Sequence, residues 1–389
     1  MPPRIVIDVR YIRDFGIGTY IRNLVQALAA VDRETRFILS TCDEEIPEFA
    51  NLPSNFEIAT HTPPKRELWD HVAYSWFLRG LSPDLVHMPV NVMPLFMPRP
   101  YVVTMHDVST FLFASHSGVG KDLRLFRSRR SLLQARCVIA VSEATRRDVS
   151  NLLAVPPDRV RLVYSAPDPR FLEPVPPGEG LGQLLERYQI RQPFILYAGR
   201  IRPHKNVPRL IEAFAVVRND LESHPRYRDL RLIIIGDEIS RHPEVRRAVV
   251  QTRNQQVVRF LGFVPFETLK MFYSAAELFA FPSLYEGFGL PPLEAMATGT
   301  PVVTSSVSSL PEVVGNAAVI VNPENVFDIA RGIREVLLDP ALRTRLIAAG
   351  AEQARRFSWK RTAENVLDVY RTYARRRGAA ATPSNHNRE

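Results

Sequence analysis

The sequence predicts an α/β protein built as two doubly wound, Rossmann-like domains facing across a cleft. Three observations carry this expectation. Short apolar runs alternate with helix-period stretches along most of the chain, the pattern of parallel strands joined by crossover helices. A segment dense in proline and glycine, Ala166–Gly180, divides the alternation in two. The length of 389 residues exceeds what one hydrophobic core ordinarily organises, so two units of roughly 170–190 residues are expected.

In the first unit Ile5–Val9 is the opening strand, Asp14-Phe-Gly-Ile-Gly18 the turn after it, and Tyr20–Ala30 the helix. Further strands are expected at Phe37–Ser40, Leu85–Met88, Tyr101–Met105, Cys137–Val141 and Val160–Tyr164. Ser142–Leu153 has helical spacing, and Ser142 with Glu143 and Thr145 suits its start. The second unit offers Phe194–Ala198, Leu230–Ile235, Val257–Leu261, Leu278–Phe281, Pro301–Thr304 and Ala318–Val321. Leu232–Ile235 is apolar throughout, as in a strand covered on both faces. The expected division is a first domain over 1–170, a linker over 171–192 and a second domain over 193–358. A helix over 359–377, which could return to the first domain, and a disordered tail over 378–389 complete it.

Composition narrows the function class. With 46% hydrophobic and 23% charged residues the chain reads as globular, and no apolar run approaches the ~20 residues that span a bilayer. Strand-like sequence begins almost at Met1, so no signal peptide is expected. Cys42 and Cys137 form neither a disulfide framework nor a metal-ligand spacing, which suits a reducing, cytoplasmic setting. The net charge of +9 suggests a polyanionic partner. Nucleic acid is disfavoured, because neither zinc-finger spacing nor an aromatic RNA-binding signature is present. The basic stretch Lys121–Arg136 reads either as a solvated helix or as a surface that docks on anionic lipid at the inner face of the plasma membrane. Arg371, Arg375, Arg376 and Arg377 form a second basic cluster.

The most informative stretch is Pro282-Ser-Leu-Tyr-Glu286-Gly-Phe-Gly-Leu-Pro-Pro-Leu-Glu294. A strand ends, Gly287 and Gly289 let the backbone approach a ligand, and a proline in the first helical turn leaves free N–H groups facing an anion. Glu286 and Glu294 are acceptors suited to ligand hydroxyls. In Gly199-Arg200-Ile-Arg-Pro-His-Lys205-Asn, Arg200 and Lys205 stand beside a glycine and a helix start, as a diphosphate requires. Gly16-Ile-Gly18 lacks the third glycine of a dinucleotide fingerprint, so a nicotinamide cofactor is not expected. His106 and Asp107 end an apolar strand, where α/β folds place site residues; Asp107 also suits capping of the next turn. His87, after another strand, could line an acceptor pocket or be a packed histidine.

Glu286-x7-Glu294 with Gly-Phe-Gly-Leu-Pro inside it resembles the signature of the family 4 retaining glycosyltransferases, which have the GT-B fold. The resemblance covers about residues 4–376 and is most specific in the second half. It implies that Glu286 binds hydroxyls of a donor sugar, with the backbone of Gly287, Phe288, Gly289 and Leu290 on sugar and phosphate. Glu294 would then bind the ribose, and Arg200 and Lys205, beside Gly199, the diphosphate. Gly18 would face the phosphates across the cleft, His106 would touch the reacting sugar, and the Val264 loop would flank the base. Pro-His-Lys-Asn, Gly-Ile-Gly-Thr-Tyr and His87-Met-Pro look most like mannosyl- and rhamnosyltransferases of polysaccharide assembly.

The expected activity is therefore transfer of a hexose, mannose first, from a nucleotide-diphosphate sugar to a glycan or lipid-linked acceptor. GDP-mannose is favoured over UDP-sugars as co-substrate, and no cofactor is expected. Asp-x-Asp is absent from the chain, so cations and a helix start rather than a metal would neutralise the leaving group. Retention at the anomeric carbon is implied by the resemblance. A nucleotide-sugar epimerase or hydrolase on the same fold is the alternative, and an inactive donor-binding subunit is a third reading.

Overall fold

The structure is a computed structural model that describes residues 2–42, 46–63, 67–90, 93–94, 96–113, 119–174 and 180–375, with the side chains of 15, 67–70 and 119–124 outside the description. The tail expected over 378–389, part of the expected linker, and Arg376 and Arg377 of the basic cluster lie outside these residues.

The first half holds β1 (Arg4–Asp8), α1 (Phe15–Val31), β2 (Arg36–Thr41), β3 (Phe56–Thr60), α2 (Glu67–Gly80), β4 (Leu85–Met88) and β5 (Tyr101–Met105). It continues with α3 (Ser109–Leu112), α4 (Val119–Gln134), β6 (Cys137–Ala140), α5 (Glu143–Leu153) and β7 (Val160–Leu162). All pairings are parallel, in the order β3-β2-β1-β4-β5-β6-β7. Sequence reading missed β3, an edge strand whose side chains are mostly half-exposed or exposed, so it lacks the apolar run that marks its buried neighbours. It also started α1 too late. The helix begins at Phe15, so Gly16 and Gly18 occupy its first turn rather than a free loop.

The second half repeats the scheme. It comprises α6 (Gly180–Arg187), β8 (Phe194–Gly199), α7 (Val207–Asp220), β9 (Arg231–Gly236), α8 (Pro243–Gln251), β10 (Val258–Gly262), α9 (Phe266–Ala275) and β11 (Leu278–Phe281). Then follow α10 (Leu290–Ala297), β12 (Val302–Ser305), α11 (Leu310–Val314), β13 (Ala318–Val321), α12 (Val326–Leu338), α13 (Pro340–Arg355) and α14 (Trp359–Tyr373). Its sheet runs β10-β9-β8-β11-β12-β13, again parallel. The α/β, doubly wound reading holds for both halves. In each sheet the strand order reverses at one place, β1/β4 and β8/β11, and such switch points open a crevice at the carboxyl ends of the strands.

The strands form the buried core, for example Ile5–Ile7, Val102–Val103 and Leu232–Ile234 at 0–2% exposure. Helix α14 follows the second sheet but lies along α1 of the first. It is anchored by Trp359 Nε1 to Pro167 O at 3.0 Å, Thr362 Oγ1 to Tyr164 O at 2.7 Å and Arg375 N to Asp84 O at 3.0 Å. No helix among the described residues is long and apolar enough to cross a membrane.

Candidate active site

The β8/β11 switch point places the loop after β8 beside the loop after β11, and hydrogen bonds stitch the two together. Asn206, buried and in the left-handed region at φ 62°, donates through Nδ2 to Pro282 O at 2.9 Å and Pro323 O at 2.7 Å. Leu284 N donates to His204 O at 2.7 Å. The consequence is an ion pair between residues far apart in sequence. Lys205 Nζ lies 2.6 and 2.7 Å from the two carboxylate oxygens of Glu286. Both side chains are largely removed from solvent, at 18% and 9% exposure, where each charge needs its partner.

The Glu286 loop is also held from behind. Its carbonyl accepts from Ser308 Oγ at 2.5 Å and Ser309 Oγ at 2.9 Å, and Phe288 O accepts from Ser309 Oγ at 2.7 Å. Gly289 precedes α10 at φ 110°, which favours glycine. Proline in the first turn of α10 leaves the loop facing a helix start with no N–H lost from the ladder. Glu294 sits further along α10 and accepts from Tyr273 Oη at 3.1 Å. Burial pushes its carboxyl up to about 7, opposed by the Tyr273 hydrogen bond and reinforced by the Asp168 charge. The two acids of the motif thus differ: Glu286 is an ion-paired carboxylate, whereas Glu294 is poised between charged and neutral near pH 7.

Gly199 ends β8 next to Gly236 of β9, and a Cβ on Gly236 would lie 2.0 Å from Gly199 O. Arg200 follows, half-exposed, with its carbonyl accepting from Tyr197 Oη at 3.2 Å. Leu290 is half-buried at the start of α10. Val264 is buried in the loop after β10, two strands from β8, beside the exposed Phe263.

The first domain contributes His106 from the end of β5. Its Nε2 lies 2.9 Å from Pro89 O, a carbonyl that can only accept, so the proton sits on Nε2 and Nδ1 keeps a lone pair. Burial lowers its pKa, against the Pro89 hydrogen bond and the Asp107 charge, so the imidazole is held neutral. The Tyr20 ring supports it edge-on at 4.7 Å. The His106 carbonyl faces Gly287 so closely that a Cβ there would be 1.7 Å away. Asp107 Oδ1 accepts from Ser109 N at 2.9 Å and Ser109 Oγ at 2.7 Å, capping the next turn.

Two expected positions are corrected. Gly18 does not present a free amide. Its N–H donates to Asp14 O at 2.9 Å, and the place of a Cβ is 2.2 Å from Ile12 O, so this glycine lets α1 close on its own preceding turn. His87 does not line a pocket. It is 0% exposed, with Nδ1 2.6 Å from Tyr370 Oη and Nε2 2.8 Å from Thr104 Oγ1. Burial, with His106 nearby, pushes its pKa down to about 3, so it is a neutral link between the core and α14.

Sequence reading missed the groups that support the site. Tyr285 donates to Asp148 Oδ2 of the first domain at 2.7 Å. Ser142 and Thr145 bond the Gly287 carbonyl. Their only sequence signal is helix-start chemistry, which does not reveal a partner in another domain.

Two family descriptions match the chain in tandem: group 1 glycosyl transferases over residues 186–353 and glycosyltransferase family 4 over residues 16–171. The O-antigen chain mannosyltransferase B of Escherichia coli is 34% identical over 379 residues, covering 92% of this chain and 96% of that protein. The serotype-specific mannosyltransferase WbdA of the same organism is 33% identical over 313 residues; the match covers 75% of this chain but 37% of the relative. Among solved structures, Anabaena HepE in complex with UDP and glucose has a TM-score of 0.75 at 19% identity, over 95% of this chain and 100% of that one. That likeness speaks to the fold alone.

Proposed function

Because the chain belongs to the family 4 glycosyltransferases, with the GT-B fold, we propose that it moves mannose from GDP-mannose to a glycan or lipid-linked glycan in O-antigen-type polysaccharide assembly. The observation that carries the site assignment is the Lys205–Glu286 pair at the β8/β11 switch point, one residue before Gly287, whose backbone packs against the His106 carbonyl. The two full-length or partial mannosyltransferase relatives support the sugar.

In this reading the diphosphate takes Lys205 together with Arg200, while sugar hydroxyls take Glu286 and the ribose takes Glu294. A donor thereby replaces one buried ion pair by two sets of charge-assisted hydrogen bonds. The Gly287–Leu290 backbone and the α10 start contribute N–H groups to the same anion. Negative charge grows on the departing phosphate, and fixed cations stabilise it without a metal. The acceptor oxygen bonds to the anomeric carbon as the sugar–phosphate bond breaks on the same face. The leaving phosphate takes the acceptor proton, and configuration is retained. Neutral His106 offers Nδ1 as an acceptor to a sugar hydroxyl.

The test is GDP release from GDP-mannose with and without a mannose-terminated acceptor, in buffer containing EDTA. Release only with acceptor, and an α-linked product, support the reading. Release without acceptor would indicate hydrolysis, an altered sugar epimerisation, and binding without turnover an inactive subunit.

In this reading the enzyme works at the cytoplasmic face of a membrane, and the surface around α4 supports it. Helix α4 exposes Phe126, Arg127, Arg129 and Arg130. Its end joins a groove of about 860 Å³ lined by Arg79, Arg99 and Arg375 beside the exposed Phe96. Cations with interleaved aromatics suit anionic lipid. Replacing Arg127, Arg129 and Arg130 by Glu should reduce co-sedimentation with vesicles containing phosphatidylglycerol; unchanged binding would remove this part of the proposal. Lys121 and Arg124 of the same stretch lie outside the described side chains.

A further inference from the structure

We propose that Ser142 and Thr145 of the first domain are positioning residues that clamp the sugar-binding loop of the second. Ser142 Oγ donates to Gly287 O at 2.5 Å and Thr145 Oγ1 donates to the same oxygen at 2.9 Å. Both residues are 0% exposed. Ser142 Oγ in turn accepts from Thr145 N at 2.9 Å, so the N-cap of α5 and the clamp are one hydrogen-bonded unit.

Gly287 is gripped from its other side as well. The space a Cβ would fill is taken by His106 O at 1.7 Å and Asp107 Cβ at 2.7 Å. The residue before Glu286 is held across the cleft too, since Tyr285 packs in the first-domain core and donates to Asp148 at 2.7 Å. Glu286 therefore lies between two residues fastened to the first domain, while its carboxylate lies on Lys205 of the second. Within its own domain Ser308, Ser309 and that ion pair hold the loop at Glu286 and Phe288, and Leu284 N on His204 O with Asn206 Nδ2 on Pro282 O holds its start.

The arrangement couples two events. When the domains close, the α5 start takes the Gly287 carbonyl and sets the offset between Glu286 and the His106 ring. When they separate, that carbonyl loses two buried donors and the loop loses its register. Thr145 and Ser142 thus act through Glu286 without touching the sugar. The argument rests on the donor-site reading above.

Thr145→Val removes one hydroxyl at constant shape, and Thr145→Ser keeps it. With GDP-mannose and a mannose-terminated acceptor, Thr145→Val should lower kcat about tenfold, as a misplaced reacting group does. Binary GDP-mannose Kd, set largely by the second domain, should stay within roughly twofold, and Thr145→Ser should restore kcat. Hydrogen exchange of the amides at 284–289 should quicken in Thr145→Val and not in Thr145→Ser. Unchanged kcat with unchanged exchange overturns the proposal. So does a loss that follows the thermal midpoint and is not rescued by serine. Should the wild-type protein fail to turn over GDP-mannose, the donor assignment falls, and the exchange comparison still decides the clamp.

Discussion

At the scale of single residues, environment rather than identity sets the chemistry. Glu294 has its carboxyl pushed up to about 7 by burial, above its unfolded value of 4.5. A raised acid favours the folded state when protonated, so its contribution is full below pH 4.5 and is lost as pH rises through 7. Comparing wild type with Glu294→Gln by urea unfolding at pH 5 and pH 8 should show the wild type losing on the order of 3 kcal/mol relative to the variant. Equal pH dependence would show that the acid is not desolvated. Lys205→Ala leaves Glu286 without its ion-pair partner; it should destabilise the fold by about 3 kcal/mol and abolish the thermal shift given by the nucleotide-sugar donor. His87 behaves oppositely to a site residue. His87→Leu strands the buried Tyr370 Oη and leaves the buried Thr104 Oγ1 with Tyr20 Oη at 3.2 Å; it should cost about 1–3 kcal/mol in unfolding, with kcat per folded molecule nearly unchanged.

At the scale of elements, two glycines of one turn of α1 are predicted to respond with opposite sign. A Cβ at Gly16 meets nothing within 4 Å, whereas one at Gly18 meets Ile12 O at 2.2 Å. Gly16→Ala should therefore stabilise by about 0.5 kcal/mol through helix propensity, while Gly18→Ala should destabilise by about 1–3 kcal/mol. Chemical denaturation of the pair separates close packing from a flexible phosphate turn. The glycines were legible as a motif, but their purpose was not. A glycine that admits a ligand and one that admits its own backbone share one letter, and only the position of Ile12 distinguishes them. The strand set shows the same limit. Buried strands such as β5 and β11 were read at their observed bounds because their runs are apolar throughout, Thr104 in β5 excepted. Edge strand β3, polar on much of its surface, left no such trace.

At the scale of the molecule, the two sheets are bound into one body by α14 and by the Gly287 contact. Deleting residues 359–375 would bare the α1 seam, where Trp359 and Tyr370 pack beside Tyr20 and Phe37. Calorimetry of that truncation should show the single transition split, with the first domain melting earlier; an unsplit, unshifted transition would mean that α14 is not part of the first domain's core. By itself the sequence determined the fold class, showed the motif that resembles the family and singled out Arg200, Lys205, Glu286, Glu294 and His106 as candidates, because apolar periodicity and motif residues are local and are written where they act. Only the tertiary structure decided that Lys205 and Glu286 form a pair, that His87 is core and that Ser142 and Thr145 reach the Gly287 carbonyl of the other domain. Those facts depend on strand order and on the approach of two domains, so the partners stand 81, 283 and 142 or more residues apart, beyond any local pattern.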